Sequence, residues 1–347
     1  MSDSFRNILI MKPSALGDIV QALPALSALR RSFPDSEISW LIRPEFTPLI
    51  ENHPHLTRVI HFDRKFLSKM LYNPAALAAF FRLCRQLRHN SFDAVFDFQG
   101  LFRTAFLARV SGCKKRFGLA DAQEFSRLFY THRIQKPPDS PHVVDYYMNL
   151  VRAAGAADLE VEFTLPRDAA AEKSVKRLLA ANGITSQRYA VLVPGSAHAD
   201  KCWPIDRFTE LAGTLSSKHD LSVIAAGGPS EAPLVQSLLQ SADVPITNLV
   251  GRTSLAGLIA LLRDASLVVS NDTGPGHIAA ALGRPIVMIF GRSNPARVAP
   301  YGRDNTIVAI DPKGRGPLPD SRNPIHNIRL ITLDDVYQKV QMQINSW

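Results

Sequence analysis

Short apolar blocks recur along the chain, each closed by a turn and followed by a longer stretch with helical spacing. Residues 7–11 form an apolar run of strand length, and residues 18–33 carry Leu23, Leu26, Leu29 and Phe33 at helical intervals. Strands at 38–42, 57–62 and 92–98 continue the alternation around an amphipathic helix over 75–89. A passage over 153–166 leads to a second series. It has strands at 189–193 and 221–226, a run ending at Asn271, and another at 285–290, with helices at 170–182, 207–218, 232–240 and 255–263. Apolar strands alternating with helices predict parallel sheets covered on both faces, an α/β class. At 347 residues the chain has room for two such units. We place a first Rossmann-like domain at 1–157, a second at 158–325, and a terminal stretch at 326–347 with a last helix over 333–344. Ligands of open α/β units bind beyond the carboxyl ends of the strands. The loops at 12–18, 99–103, 194–203, 227–231 and 271–277 are therefore expected to share one cleft.

Charge sharpens this picture. The net +9 is unevenly placed, with 21 Lys and Arg against 13 Asp and Glu over residues 1–157, and 19 against 18 over the rest. Arg64-Lys65, Arg82, Arg85 and Arg88, and Lys114-Lys115-Arg116 make the basic clusters. Such a bias favours an acidic partner, either an anionic membrane surface or an anionic substrate. No helix-turn-helix, zinc or RNA-binding signature accompanies it, so nucleic acid is not expected. The apolar run before Lys12 is too short for a secretory leader, and no uncharged run is long enough to span a bilayer. Cys84, Cys113 and Cys202 make neither a disulfide framework nor a metal pattern, which predicts a reducing, cytoplasmic setting.

Candidate chemistry lies in the turns. Val268 to Ala281 runs from a strand through Asn271-Asp272-Thr273-Gly274-Pro275-Gly276-His277 into an Ala-rich helix. A helix start of this kind presents free N–H groups and a positive dipole end, which suit a diphosphate. Gly274-Pro275-Gly276-His277-Ile278-Ala279 also fits the dinucleotide fingerprint, but the strand after it ends in Phe290-Gly291-Arg292 without the acid that a ribose requires. Lys12-Pro13-Ser14-Ala15-Leu16-Gly17-Asp18 joins the first strand to the first helix. Asp18 there suits either a helix cap, with Gln21 three residues on, or a general base. In the loop from Pro194 to Pro204, Ser196 follows a glycine and Lys201 stands before Trp203-Pro204, aimed to neutralise a departing phosphate. Glu231, after Gly227-Gly228, could accept from ribose hydroxyls. Kinase, metalloprotease and hydrolase signatures are missing, as is the D-x-D of a metal-dependent transferase.

Taken in order, Lys12–Asp18, Asp97-Phe98-Gln99-Gly100-Leu101, Asp200-Lys201-Cys202-Trp203-Pro204 and Asn271–His277 resemble the family 9 glycosyltransferases. These are the ADP-heptose:lipopolysaccharide heptosyltransferases, and the likeness runs toward the heptosyltransferase I group. The resemblance implies a GT-B fold whose terminal helix packs back on the first domain. It implies an inverting, metal-independent transfer of heptose from ADP-heptose to the lipopolysaccharide inner core, with no cofactor, at the cytoplasmic face of the inner membrane. Asp18 would be the base and Lys201 would assist the diphosphate. Ser196, Glu231, Asp272, Thr273, Gly274 and His277 would hold the donor. Lys12, Arg64, Lys65 and Gln99 would meet an anionic, lipid-linked glycan acceptor. The chain departs from the family pattern at Ser196-Ala197, where a hydroxyl pair is usual, and between Gly118 and Leu128, where the family often has a basic acceptor contact and this chain has Glu124 near that place with Arg127 close by. Two other outcomes stay open: a different nucleotide sugar or glycan acceptor, and a non-catalytic nucleotide-binding protein.

Overall fold

A computed structural model describes residues 5–185, 188–316 and 318–345. The chain divides into two compact units, Met1–Pro166 and Arg167–Trp347, a boundary later than 157/158 because the passage over 158–166 stays with the first unit. Arg31 anchors that passage by binding the carboxylates of Asp158 and Glu162 at 2.9 Å each.

The first unit runs β1 (Asn7–Met11), α1 (Leu16–Ser32), β2 (Glu37–Ile42), β3 (Arg58–His61), α2 (Arg64–Leu67), α3 (Pro74–His89), β4 (Ala94–Asp97), α4 (Phe102–Val110), β5 (Lys115–Leu119), β6 (His132–Ile134) and α5 (Val143–Ala153). Its six strands are parallel in the order β3-β2-β1-β4-β5-β6. Alternation assigns the faces. Leu9 and Met11 join Leu41, Val95, Leu83, Leu87 and Leu107 in one apolar layer. Ile8 and Ile10 are equally buried on the other side, the pleat sending successive side chains to opposite faces. Helix α1 is buried at every position from Ile19 to Leu29, so it lies inside the unit instead of on its surface.

The second unit runs α6 (Ala169–Ala181), β7 (Tyr189–Val193), α7 (Ile205–His219), β8 (Ser222–Ala225), α8 (Ala232–Ser241), β9 (Ile246–Asn248), α9 (Leu255–Arg263), β10 (Leu267–Asn271), α10 (Gly274–Ala281), β11 (Ile286–Phe290), α11 (Pro295–Val298), β12 (Ile307–Ala309) and α12 (Leu333–Asn345). These strands too are parallel, in the order β12-β11-β10-β7-β8-β9. Each sheet therefore has the doubly wound order in which the chain reverses direction beside the unit's first strand. Ligands bind at that switch point. In the first unit it falls between β1 and β4, and in the second between β7 and β10. The fold class is α/β with two Rossmann-like parallel-sheet units, as expected for GT-B.

Val336 and Val340 of α12 are fully buried in the second unit's own core, with Leu192, Val287, Ile289 and Leu211. The terminal helix is a layer of the second unit, where the apolar stripe of α12 meets β11, β12 and α7.

Candidate active site

At the first unit's switch point, Met11 lies opposite Asp97 in the β1–β4 register, so Lys12 and Phe98 leave the sheet side by side. Helix α1 begins at Leu16, two residues earlier than the spacing suggested, which makes Asp18 its third residue. Asp18 Oδ2 accepts the Ala15 N–H at 3.3 Å and also takes the Lys12 ammonium at 3.3 Å. The capping role and the candidate chemical role fall on the same carboxylate, whose side chain is 46% exposed while that of Lys12 is 4% exposed. Lys12 is an internal counter-ion beneath the carboxylate. Its ammonium also donates to the Phe98 carbonyl at 3.3 Å and sits 5.6 Å from the centroid of the Tyr147 ring. Burial by itself would discharge it, but Asp18 and then Tyr147 outweigh that cost and hold its pKa above the ordinary lysine value.

Gln99 is half-buried and ties the two loops together, its Oε1 accepting the Ser14 N–H at 3.4 Å. The turn that presents it is held from below by Asp97, fully buried, which accepts the N–H groups of Gln99 at 2.9 Å and Gly100 at 3.2 Å and the Tyr130 hydroxyl at 2.8 Å. Arg64, at the start of α2, lines a shallow groove with Pro13, Ser14, Gln99, Arg43 and Arg103. Lys65, its neighbour, is exposed and outside that groove. Glu124 binds the Phe102 N–H at 3.0 Å and so caps α4.

The second unit gathers its predicted residues at β7, β8 and β10. Asp272 lies between His277 and Lys201, 3.5 Å from His277 Nε2 and 3.4 Å from Lys201 Nζ. Burial would raise its pKa, but the His277 contact, then Ser293 and Lys201, overcome this and hold the carboxyl down to about 2. Lys201 also approaches Asp320 at 3.8 Å. Thr273 precedes α10, with its hydroxyl turned inward to Ser270 Oγ at 2.9 Å and the Asn271 carbonyl. Gly274 opens the helix. A Cβ on Gly276 would lie 3.0 Å from both Met288 Cε and Ser270 Oγ, so glycine there lets α10 press onto the sheet.

Glu231 folds inward over two glycines. A Cβ on Gly195 or Gly227 would strike its carboxylate, and its Oε2 accepts the Gly228 N–H at 3.2 Å. Burial raises its pKa and the Gly228 bond opposes the rise. Half-buried Ser196 follows Gly195 directly. A donor set made of one helix start, one fixed ammonium and one inward carboxylate can hold a diphosphate and a hydroxyl-bearing sugar.

Sequence reasoning missed three residues that shape these loops. Asn271, fully buried, donates to the Pro194 carbonyl at 2.7 Å and accepts the Trp203 N–H at 3.0 Å, clamping the Lys201 loop to β10. Its place inside a polar turn motif was the available signal. Arg103 closes the loop 99–103 expected at the cleft but had no role assigned, and Asp320 carried no signal, since it stands in no motif. Among the described residues no group of three or more His, Cys, Asp or Glu could hold a metal ion.

The pattern of the family described as Glycosyltransferase family 9 (heptosyltransferase) matches residues 80–323. The chain is 28% identical over 311 residues to the lipopolysaccharide core heptosyltransferase OpsX of Haemophilus influenzae, covering 88% of this chain and 84% of the relative. It is 28% identical over 307 residues to lipopolysaccharide heptosyltransferase 1 of Pseudomonas aeruginosa, with the same two coverages. Among solved structures, E. coli heptosyltransferase WaaC with ADP-2-deoxy-2-fluoro heptose superposes with a TM-score of 0.73 at 25% identity, over 97% of this chain and 99% of that one. The glycosyl transferase family 9 protein of Veillonella parvula superposes with a TM-score of 0.85 at 20% identity, over 100% and 99%.

Proposed function

Because the chain belongs to glycosyltransferase family 9 (heptosyltransferase), we propose that it moves a heptose from ADP-heptose to the inner core of lipopolysaccharide by an inverting, metal-independent displacement. The observation that carries this is the chemistry of the two switch points. One holds a half-exposed carboxylate, Asp18, backed by buried Lys12. The other holds Lys201 against Asp272 and His277 at a helix start. The donor and acceptor named for the similar proteins support the substrate class.

In this mechanism the acceptor hydroxyl oxygen forms a bond to the anomeric carbon, and its proton passes to Asp18. Asp18 Oδ2 takes the Lys12 ammonium and the Ala15 N–H, and Oδ1 is the oxygen that receives it. The bond from the anomeric carbon to the diphosphate oxygen breaks in the same step, and its electron pair departs on ADP. Lys201 and the first amides of α10 stabilise that charge. Attack opposite the leaving group inverts the anomeric centre. Asp272, by holding Lys201 and His277, sets the donor end, while Glu231 and Ser196 meet the nucleotide. Arg64, Lys65 and Gln99 meet the anionic glycan, with the protein bound peripherally at the cytoplasmic face of the inner membrane. The Ser196-Ala197 departure favours, as the second reading, a related nucleotide sugar at the same donor site.

The test is a screen of nucleotide sugars for binding, followed by transfer assays with the best donor. Asp18→Asn is expected to keep donor binding and lower kcat by about 10²–10⁴, and Lys201→Ala to lower it by about 10²–10³, with turnover unchanged in excess chelator. Wild-type turnover by Asp18→Asn would sink the base assignment, and a chelator loss restored by divalent cation would sink the metal-free step.

A further inference from the structure

The first unit contains a second concavity that the transfer chemistry leaves unused. It is a cavity of about 480 Å³ between β3, α2, α3 and α4, walled almost wholly by hydrocarbon from Phe62, Leu67, Met70, Phe80, Phe106 and Leu107. That size suits a small ligand. Its lining shares Phe62, Arg64 and Arg103 with the groove that reaches Pro13, Ser14 and Gln99. Apolar wall and candidate acceptor groove therefore meet at two guanidinium groups.

The surrounding surface has matching chemistry. Leu71 is 91% exposed, Tyr72 75% and Phe81 61%, and they lie on the segment from α2 into α3. Lys65, Lys69, Arg82 and Arg85 are exposed on the same segment. Exposed apolar side chains and cations carried on one segment fit an anionic bilayer surface. Among the described residues no helix is long and apolar enough to cross a membrane, so contact here is interfacial. An apolar cavity open at its mouth goes further than a flat patch, because it offers space for one hydrocarbon chain drawn out of the bilayer.

We propose that this cavity takes one acyl chain of the lipid-linked acceptor, while Arg64 and Arg103 at its mouth hold the anionic head in the groove beside Gln99. The inference rests on the acceptor being an anionic lipid-linked glycan, and it adds that the enzyme reads the lipid as well as the sugar. Chain burial stabilises the complex with each methylene removed from water.

The experiment compares transfer to an acylated lipopolysaccharide-core acceptor in detergent micelles with transfer to the same saccharide after removal of its acyl chains. The wild type should show kcat/KM at least about tenfold higher for the acylated acceptor, the equivalent of roughly two buried methylenes. Ser68→Trp fills the cavity at an exposed lining position, and Met70→Glu places a charge in its wall. Both should bring the ratio toward one and keep turnover on the acyl-free saccharide, which also reports that they fold. A readout independent of turnover uses phosphatidylglycerol vesicles whose acyl chains end in a diazirine. Photolysis should label peptides within 62–70 and 102–107, and Ser68→Trp should abolish that label. Equal kcat/KM for the two acceptors, an unchanged ratio in both variants, or labelling confined to other segments would overturn the proposal. If neither acceptor is used, the acceptor assignment itself fails, and the labelling pattern still decides whether the cavity takes a chain.

Discussion

Asn271→Ala tests how the second unit positions Lys201. The Asn271 side chain is fully buried and makes two bonds to one loop, donating to the Pro194 carbonyl at 2.7 Å and accepting the Trp203 N–H at 3.0 Å. Alanine removes both partners at once. Each buried backbone group left unsatisfied costs about 1–3 kcal/mol. The loss should therefore be about 2–6 kcal/mol, and toward the lower end if water enters the space vacated by the amide. Asn271→Asp keeps an acceptor for Trp203 but sets a carboxylate oxygen against the Pro194 carbonyl, so it should be no milder. Urea unfolding followed by Trp203 fluorescence, in a Trp40→Phe, Trp347→Phe background, reads the second unit directly because Trp203 is 1% exposed there. Loosening the loop also displaces Lys201, and kcat should fall by up to about 10², the cost of a misplacement near 1 Å. A stability change within about 0.5 kcal/mol, the range of an ordinary surface substitution, together with unaltered kcat, would refute the clamp.

Two further outcomes follow from buried groups in the first unit. His53 is 2% exposed, with Nε2 3.0 Å from the Thr164 carbonyl and Nδ1 accepting the His55 N–H at 3.1 Å, so its partners fit only the neutral ring. Burial, opposed by the Thr164 contact, pushes its pKa down to about 4, below the unfolded value of about 6.5. The unfolded chain takes up that proton first. The contribution is complete above pH ~6.5 and lost on acidification toward pH ~4, a total of about 3 kcal/mol. His53→Gln should flatten this window in urea titrations of the first unit, and an unchanged slope between pH 6.5 and 4, on the scale of these values, would contradict the assignment. Tyr130→Phe removes the hydroxyl that binds Asp97 at 2.8 Å and should cost about 1.5–3 kcal/mol at neutral pH. Burial already raises the Asp97 pKa. The penalty should therefore shrink as pH falls and the carboxyl protonates; a penalty that is the same at low pH would show that Asp97 charge is not its source.

Residues with strong local patterns were legible in the sequence. The runs at 7–11, 189–193 and 285–290 became buried central strands, because a strand covered on both faces must be apolar throughout. The 271–277 turn and Lys201 came together as read. Strands β5, β6, β9 and β12 did not show. Three of them are only three residues long, and β5 opens with Lys115-Arg116, so neither length nor alternation marked them. Helix α4 was also missed, since its nine residues carry no amphipathic stripe.

What sequence alone determined was the class of fold, the ends of the central strands and the residue types placed there, all of which follow from hydrophobic period and turn chemistry. Tertiary structure decided the partners. Lys12 and Asp18 were near in sequence, but the burial of Lys12 under the Asp18 carboxylate depends on β4 and Tyr147 closing over it. Asn271 reached Pro194 and Trp203 only through the β7–β10 register. The terminal helix went to the second unit because its Val336 and Val340 found an apolar surface there. Periodicity records which face a residue shows to the core. It does not record which distant backbone or charge meets it there, because that is settled when the sheets assemble and every buried polar group must find a partner.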